Sequence, residues 1–244
     1  MVLRSIECQT ITPEEVIIAD DGSTPKTKAL VSRFQQDSEL NIIYSWQEDK
    51  GFRAAKSRNK AIAKSNTDYI VLIDGDMILH PRFIEDHISD AKLGYFVQGS
   101  RVLLTQNKTK QVLDQQKINL SFFSSGLLNR KNAFYSNSLS TLMSRDKNFL
   151  GGIKSCNMAF FKQDCIDVNG FNNDFKGWGR EDSEFIVRLL NSGIRRKSLH
   201  FNAIQYHLWH KENKNTFLNR NDAILQHALL NRLHWYDNGI DRYI

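Results

Sequence analysis

Short apolar runs alternate with mixed polar and apolar stretches through the first hundred residues of the chain. Each apolar run ends at polar or turn-forming residues, which is typical of buried strands. The predicted strands cover residues 15–20, 41–46, 69–73 and 94–104. The predicted helices between them cover residues 24–36 and 52–64. Strands that alternate with helices indicate an α/β fold with a mostly parallel central sheet.

The pattern changes between residues 106 and 147, where Asn, Ser, Lys and Gln surround isolated apolar clusters. One or two helices and a loop are expected there. A helical excursion packed on the sheet is the favoured interpretation, and a lid or a membrane-surface contact is the alternative. The predicted elements after it are a helix over 181–190, a strand over 198–206 and a helical tail over 213–235.

Length and composition are those of a single globular domain, with 244 residues, 41% hydrophobic and 25% charged. No run of about 18 apolar residues is present, and the first residues do not resemble a signal peptide. Three cysteines match neither a disulfide framework nor a zinc site, so reduced thiols in a cytoplasmic protein are expected. The net charge of +6 fits a solvated basic surface or an anionic partner. Nucleic acid is excluded as a partner because no basic-aromatic recognition signature is present.

Acidic residues follow two of the predicted strands. Asp20 and Asp21 end the first, and Asp74 and Asp76 flank a glycine after the third. Ligands of open α/β sheets bind beyond the carboxyl ends of strands, and paired carboxylates there can hold a divalent cation. A turn with solvated aspartates is the alternative interpretation.

Two further groups could complete such a site. His207 and His210 follow the last predicted strand, and imidazole together with carboxylate suits manganese, although a histidine there is often only a surface residue. One predicted helix after Gly51 carries Arg53, Lys56 and Arg58. The functional interpretation is a helix that faces a phosphate, and the alternative is a solvated basic face.

The segment 177–184 has the sequence Gly-Trp-Gly-Arg-Glu-Asp-Ser-Glu. Glycines on both sides of Trp178 leave its ring free as a flat platform. The acids open the predicted helix, where the helix dipole favours ionised carboxylates. An aromatic platform beside a carboxylate base is typical of a sugar-binding catalytic site.

Several segments, taken together in their order along the chain, resemble a known family. Residues 15–23, 51–59 and 73–76 resemble family 2 inverting glycosyltransferases with the GT-A fold. The segment 157–160, the pair Gly170-Phe171, the segment 177–184 and the downstream His207 are similar to the C-terminal part of β-1,4-galactosyltransferases and to bacterial chondroitin-polymerase transferase domains. The resemblance covers about residues 3–212 and implies a nucleotide-diphospho-sugar transferase fold.

The resemblance also implies roles for individual residues. The donor-binding residues it implies are Asp20 and Asp21 at the uracil, Arg58 beside the nucleotide, Asp74 near the ribose and Asp76 at the metal. The metal ligands it implies are Asp76 and His207, with His210 as a further partner. Asp182 would be the catalytic base and Glu181 would orient the acceptor. The acceptor platform it implies comprises Trp178, Gly177 and Asn157.

The implied reaction is metal-dependent transfer of a hexose or N-acetylhexosamine from a UDP-sugar to a glycan hydroxyl, with inversion to a β-linkage. Mn²⁺ is the expected metal and Mg²⁺ the alternative. The expected acceptor is a bacterial surface glycan or lipid-linked oligosaccharide, with the enzyme in the cytoplasm or in peripheral contact with the anionic inner membrane face. The expected parts of the single domain are a donor half (1–105), the excursion (106–148), an acceptor and catalytic half (149–212) and the C-terminal helical tail (213–244).

One departure from the family concerns the N-terminal region. Residues 3–10 resemble the second half of a helix that follows the family's first, central strand, and that strand is not found here. Its absence should leave neighbouring strand edges unpaired, so we expect this form to be less stable and less active than an extended one. A degenerate transferase that only binds nucleotide or carbohydrate is therefore the alternative function. A sugar-phosphate nucleotidyltransferase is disfavoured, because its Gly-rich, Arg-containing N-terminal loop is not found.

Overall fold

A computed structural model describes residues 1–146, 148–211 and 217–244 of the protein. The α-helices are α1 (Val2–Glu7), α2 (Pro25–Asp37), α3 (Ala54–Lys64), α4 (Phe83–Ser89), α5 (Gln106–Gln115), α6 (Asn137–Met143), α7 (Lys162–Asp167), α8 (Glu181–Asn191) and α9 (Leu218–Leu230). The strands are β1 (Val16–Asp20), β2 (Ile42–Trp46), β3 (Tyr69–Ile73), β4 (Met77–Leu79), β5 (Tyr95–Gln98), β6 (Val102–Leu103), β7 (Arg145–Asp146), β8 (Asn157–Phe161), β9 (Arg195–Ser198) and β10 (Gln205–His207). Short 3₁₀ helices cover Arg130–Ala133 and Ile240–Arg242.

The strands form three hydrogen-bonded groups. Five strands make a sheet in the order β3-β8-β5-β9-β7, three make a group in the order β4-β10-β6, and β1 pairs with β2. The expected α/β fold is confirmed, but the expectation of a mostly parallel sheet is wrong. In the five-stranded sheet β5–β9 is the one parallel pair of neighbouring strands among the described residues, because β8, between β3 and β5, and β7, at the edge beside β9, run in the opposite direction to β3, β5 and β9.

Two predicted strands are each divided in the structure. The apolar run 94–104 gives β5 and β6, which belong to different sheets. The run 198–206 gives β9 and β10, because Phe201 and Ala203 between them have positive φ angles of 65° and 45°. Each division moves the chain from the five-stranded sheet to the β4-β10-β6 group. The predicted tail helix corresponds to α9, which ends before Trp235, whereas its predicted first residue, Asn213, lies outside the described residues.

The segment similar to part of a family helix forms α1. Its Ser5 Oγ accepts a hydrogen bond from Leu79 N at 3.1 Å, and its C-terminal neighbour Gln9 donates to the carbonyl of His80 at 2.9 Å. These bonds fix α1 against β4. Among the described residues, β1 pairs only with β2 and β3 only with β8, so β1 and β3 are not joined by strand hydrogen bonds.

The described residues form four buried clusters, of which the smallest joins Val187 of α8 to Leu225 and Ala228 of α9. The largest lies between α3, α8 and the five-stranded sheet and includes the stacked rings of Phe171 and Phe185. The second lies under β1, β2 and α4, and the third under β6, β10 and α5. In the described part of the chain, none of the helices is both long and apolar enough to cross a bilayer.

Candidate active site

Asp76, His207 and His210 converge at one end of the β4-β10-β6 group. Asp76 lies in the turn between β3 and β4, and β10 pairs with β4 so that His207 lies opposite Met77. The amide of Leu208 donates to the carbonyl of Asp76 at 3.0 Å. Nε2 of His207 and Nε2 of His210 each lie 3.2 Å from Asp76 Oδ2. The backbone pairing therefore delivers one carboxylate and two imidazoles to a common point.

These three side chains have the arrangement of a metal-ligand set. Their ligand atoms all lie within 4.8 Å of one another, and the second carboxylate oxygen of Asp76, Oδ1, is buried without a hydrogen-bond partner. A buried oxygen left unpaired needs a partner from outside the protein. Burial acts to raise the pKa of Asp76, but the hydrogen bond from His207 and the two imidazoles hold that pKa below its ordinary value. The residues therefore fit a divalent cation that accepts nitrogen and oxygen ligands, as manganese does.

Arg58, on α3, connects the two acidic parts of the site. Its Nη1 donates to Glu181 Oε1 at 3.0 Å, and its Nη2 lies 3.7 Å from Asp74 Oδ1. Its guanidinium lies 5.5 Å from the centre of the Phe171 ring. Burial raises the pKa of Asp74 and the Arg58 charge opposes that rise. Arg58 thus contacts both Asp74, which precedes the metal-ligand set along the chain, and Glu181, which opens α8.

Asp182 lies in the first turn of α8 and accepts backbone hydrogen bonds on both carboxylate oxygens. Ser183 N donates to Oδ1 at 2.7 Å and Ser155 N donates to Oδ2 at 3.3 Å. Burial and the neighbouring Glu181 carboxylate raise the pKa of Asp182 to about 6, although Arg58 and the two amides act in the opposite direction. A carboxylate of that pKa is ionised at neutral pH and accepts a proton more readily than an ordinary aspartate.

The acids at the end of β1 are engaged within the protein. Asp20, which is 5% exposed, accepts hydrogen bonds from Ser23 N at 2.7 Å and from the Tyr44 hydroxyl at 2.5 Å. These bonds engage both oxygens of Asp20 and favour a structural role for it, while its contact with uracil stays a prediction. Asp21 accepts hydrogen bonds from Gln47 Nε2 at 2.6 Å and from Arg53 N, but it stays partly exposed. Its role at the nucleotide remains a prediction.

Trp178 is displayed on a loop that α9 holds in place. The side chain is 58% exposed, and Nδ2 of the buried Asn221 donates to the carbonyls of Lys176 and Gly179 at 3.0 Å each. Gly177 has φ of +68°, and a Cβ there would lie 2.6 Å from Cδ2 of Phe217. The glycine is therefore required by close packing on Phe217, and the platform roles of Gly177 and Trp178 stay predictions.

Asn157 does not belong to the acceptor platform. It is 0% exposed, and its Nδ2 donates to the carbonyls of Ser100 and Ala203 at 2.7 and 2.8 Å. Its Oδ1 lies 2.8 Å from Nε2 of the buried His87. The expected contact of Asn157 with an acceptor sugar is therefore corrected. Asn157 ties the segments after β5 and before β10 to the start of β8.

Sequence reasoning missed two cations in this part of the site, Arg101 near Asp74 and Lys154 near Arg101. The Arg101 guanidinium lies 3.9 Å from the Cys156 thiol and, by its charge, lowers the pKa of Asp74. Partial burial and the Arg101 charge lower the pKa of Lys154. Burial and the Asp74 charge raise the pKa of the Cys156 thiol to about 11, so it is a neutral spectator. Arg101 and Lys154 lie in no motif, and only the fold reveals that Arg101 is near Asp74 and that Lys154 is near Arg101.

The combination of the α/β fold, the carboxylate-imidazole cluster and the buried acid at the start of a helix defines a glycosyltransferase of the GT-A type. Comparisons with known proteins agree. The family model described as "Glycosyl transferase family 2" matches residues 2–168, and that described as "N-terminal domain of galactosyltransferase" matches residues 138–211. The chain therefore belongs to glycosyl transferase family 2, and both expected resemblances are confirmed.

Individual relatives support the same assignment. The chain is 27% identical to chondroitin synthase of Escherichia coli over 225 residues, which cover 82% of this chain and 31% of that protein. It thus spans about a third of the length of this relative. The crystal structure of S. aureus TarS 1-349 in complex with UDP matches with a TM-score of 0.58 and 17% identity, covering 94% of this chain and 61% of that one. The complex of the same protein with UDP-GlcNAc matches with a TM-score of 0.54 and 17% identity, over 88% and 55%. These two likenesses show the fold.

Proposed function

We propose that the protein transfers a hexose or N-acetylhexosamine from a UDP-sugar to a glycan hydroxyl, with inversion at the anomeric carbon and formation of a β-linkage. The observation that carries this proposal is that Arg58 contacts acidic residues from two parts of the site. On one side, Asp74 leads into the metal-ligand set of Asp76 and the two histidines, and on the other side Glu181 adjoins Asp182. Family membership supports the same reaction class.

The donor is proposed to be a UDP-sugar because a structural neighbour binds UDP and UDP-GlcNAc. Residues 1–105 would supply most donor contacts, through Asp21, Arg58, Asp74 and Asp76. The diphosphate carries negative charge, and Arg101, whose charge acts on Asp74, would attract it together with the neighbouring Lys154. The metal would be Mn²⁺, with Mg²⁺ as the alternative, held by Asp76, His207 and His210. When bound, it supplies Lewis-acid neutralisation of charge on the departing UDP.

The acceptor half is proposed to comprise residues 149–212. Trp178 offers an exposed aromatic face for a sugar ring, and Glu181, fixed by Arg58, would orient the acceptor hydroxyl. Asp182 takes the proton of that hydroxyl while the hydroxyl oxygen attacks the anomeric carbon from the face opposite UDP. The bond from that carbon to the diphosphate oxygen breaks, and its electron pair leaves with UDP. A single displacement inverts the centre without a covalent enzyme intermediate.

The biological acceptor is proposed to be a bacterial surface polysaccharide or a lipid-linked oligosaccharide. Similarity to a chondroitin synthase supports a polysaccharide product. The enzyme would work in the cytoplasm, in peripheral contact with the anionic inner face of the membrane, and the net charge of +6 supports that contact.

The proposal is tested by two variants of conserved shape, Asp76→Asn and Asp182→Asn, with the exposed Asp114→Asn as the matched control. UDP release and glycan transfer are measured with Mn²⁺, and UDP affinity is measured by calorimetry. Asp76→Asn should lose metal-dependent UDP affinity. Asp182→Asn should bind UDP normally and lose transfer by about 100-fold or more, since general base catalysis contributes about that much. Normal transfer by Asp182→Asn would remove it as the base, and UDP binding without turnover by the wild type would favour a binding module.

A further inference from the structure

An exposed apolar surface lies far along the chain from the catalytic acids, within residues 121–145. We define the apolar patch as Phe123, Phe134, Leu139, Leu142 and Met143, all of which are exposed. Phe123 is 89% exposed and Leu142 is 77% exposed. Exposure of single apolar residues is ordinary, but a contiguous group of large side chains marks an interaction site.

Ring contacts make the aromatic part of the patch continuous. Phe122 lies 5.5 Å from Phe123 and 5.6 Å from Phe134, centre to centre. Phe134 in turn lies 5.9 Å from Phe201. Arg130 donates to the carbonyl of Phe122 and its guanidinium lies 5.9 Å from the same ring. The Arg130 guanidinium therefore lies directly beside this row of aromatic rings.

The helix α6 continues the patch. Ser136, which caps α6, donates its amide to the carbonyl of Phe201 at 2.9 Å, and Ser144 Oγ accepts from His200 N at 3.3 Å. Both ends of the helix are thus held beside the segment that carries the last ring. Leu139, Leu142 and Met143 are spaced at i, i+3 and i+4, so they share one face of α6, and all three are exposed.

The charge of this region has one sign. Between Asp114 and Asp146 the sequence contains no Asp or Glu and four basic residues, Lys117, Arg130, Lys131 and Arg145. None of these four forms an ion pair within the described ranges 1–146, 148–211 and 217–244. Basic side chains that are not neutralised by the protein attract an anionic surface.

We propose that the apolar patch and its basic residues dock the enzyme on an anionic lipid bilayer. Apolar side chains beside uncompensated cations are the combination by which peripheral segments enter the headgroup region. A neutral glycan would stack on the rings but would not require the cations, which is why the bilayer is favoured. The inference deepens the membrane contact in the proposed function, and it would bring the enzyme to the surface that carries a lipid-linked acceptor.

The test is co-sedimentation of the full chain with vesicles of phosphatidylcholine alone or with about 30 mol% phosphatidylglycerol, a content typical of anionic surfaces. The apolar variant is Phe123→Ser/Leu142→Ser, and its matched control is Leu93→Ser/Leu230→Ser, which removes two equally exposed leucines elsewhere. The charge variant is Lys131→Gln/Arg145→Gln, and its control is Lys26→Gln/Lys28→Gln on α2. UDP release from a soluble donor is measured on every variant.

The wild type should bind the anionic vesicles, more weakly at high salt, and bind the neutral vesicles much less. The apolar and charge variants should each lose vesicle affinity by about ten-fold or more, while both controls match the wild type and UDP release is unchanged. Equal binding to neutral and anionic vesicles, or wild-type binding by either variant, would overturn the proposal. The proposal would also be overturned if the apolar and charge variants lost affinity for a soluble glycan but still bound the anionic vesicles as the wild type does. Because vesicle binding and UDP release are read separately, failure of the docking surface is distinguishable from failure of the proposed reaction.

Discussion

Replacing the proposed base, Asp182→Asn, should make the protein more stable at neutral pH while it abolishes transfer. In the folded state the pKa of Asp182 is raised from 3.8 to about 6. The folded protein therefore binds a proton more tightly than the unfolded chain, so the free energy of unfolding falls as pH rises through this interval. A rise of about two units corresponds to about 3 kcal/mol above pH 6.

The amide substitution removes this cost but also removes one acceptor. Both carboxylate oxygens of Asp182 accept a backbone amide, and an asparagine has a single acceptor oxygen, which costs about 1 kcal/mol. The net gain at pH 7.5 is about 2 kcal/mol, or about 4–8 °C in Tm for a chain of this size. Near pH 4.5 wild-type Asp182 is largely protonated when folded, so the gain should shrink to about zero.

Urea unfolding of both proteins at the two pH values measures this difference, with Asp114→Asn as an exposed control that should change nothing at either pH. The reasoning is refuted if Asp182→Asn is less stable than the wild type at pH 7.5. It is equally refuted if the difference between the two proteins is the same at both pH values, because the gain would then not arise from titration of this carboxyl.

Three further changes test other parts of the structure. Glu184→Gln leaves the fully buried Arg188 unpaired and should lower the free energy of unfolding by about 3–5 kcal/mol in denaturant titrations. Gly177→Ala places a Cβ 2.6 Å from Phe217 at a positive φ, so it should lower Tm, and the double variant with Phe217→Ala should recover part of the loss because it removes the clash but not the φ strain. His210→Ala should weaken Mn²⁺ binding in calorimetry by about 10-fold or more and change Tm without metal only slightly, because this imidazole is a member of the metal-ligand set and is exposed.

The strands bounded by polar turns could be predicted from the sequence. The predicted range 69–73 coincides with β3, because its apolar run is ended on both sides by polar residues. The run 198–206 could not be divided from sequence, because positive φ at Phe201 and Ala203 is set by tertiary contacts and neither residue type favours it. The antiparallel direction of β8 could not be predicted from the sequence either, because strand pairing depends on residues far along the chain.

The site shows the same limit. Motif position pointed to Asp76 and His207, which the structure brings together with His210, and to Asp182, whose neighbour Glu181 contacts Arg58. It misassigned Asn157, whose amide joins distant backbone segments in the core. It also could not find Arg101, since only pairing of the strands on either side brings that guanidinium to Asp74.

The most direct test of the proposed function is the initial rate of UDP release from a panel of UDP-hexoses and UDP-N-acetylhexosamines, with Mn²⁺ and then with excess EDTA. We expect release from at least one donor with Mn²⁺, loss of that release with EDTA, and recovery when Mn²⁺ is restored. Release that persists undiminished in EDTA would contradict the metal site at Asp76, His207 and His210. The lack of release from every UDP-sugar would contradict the proposed reaction itself.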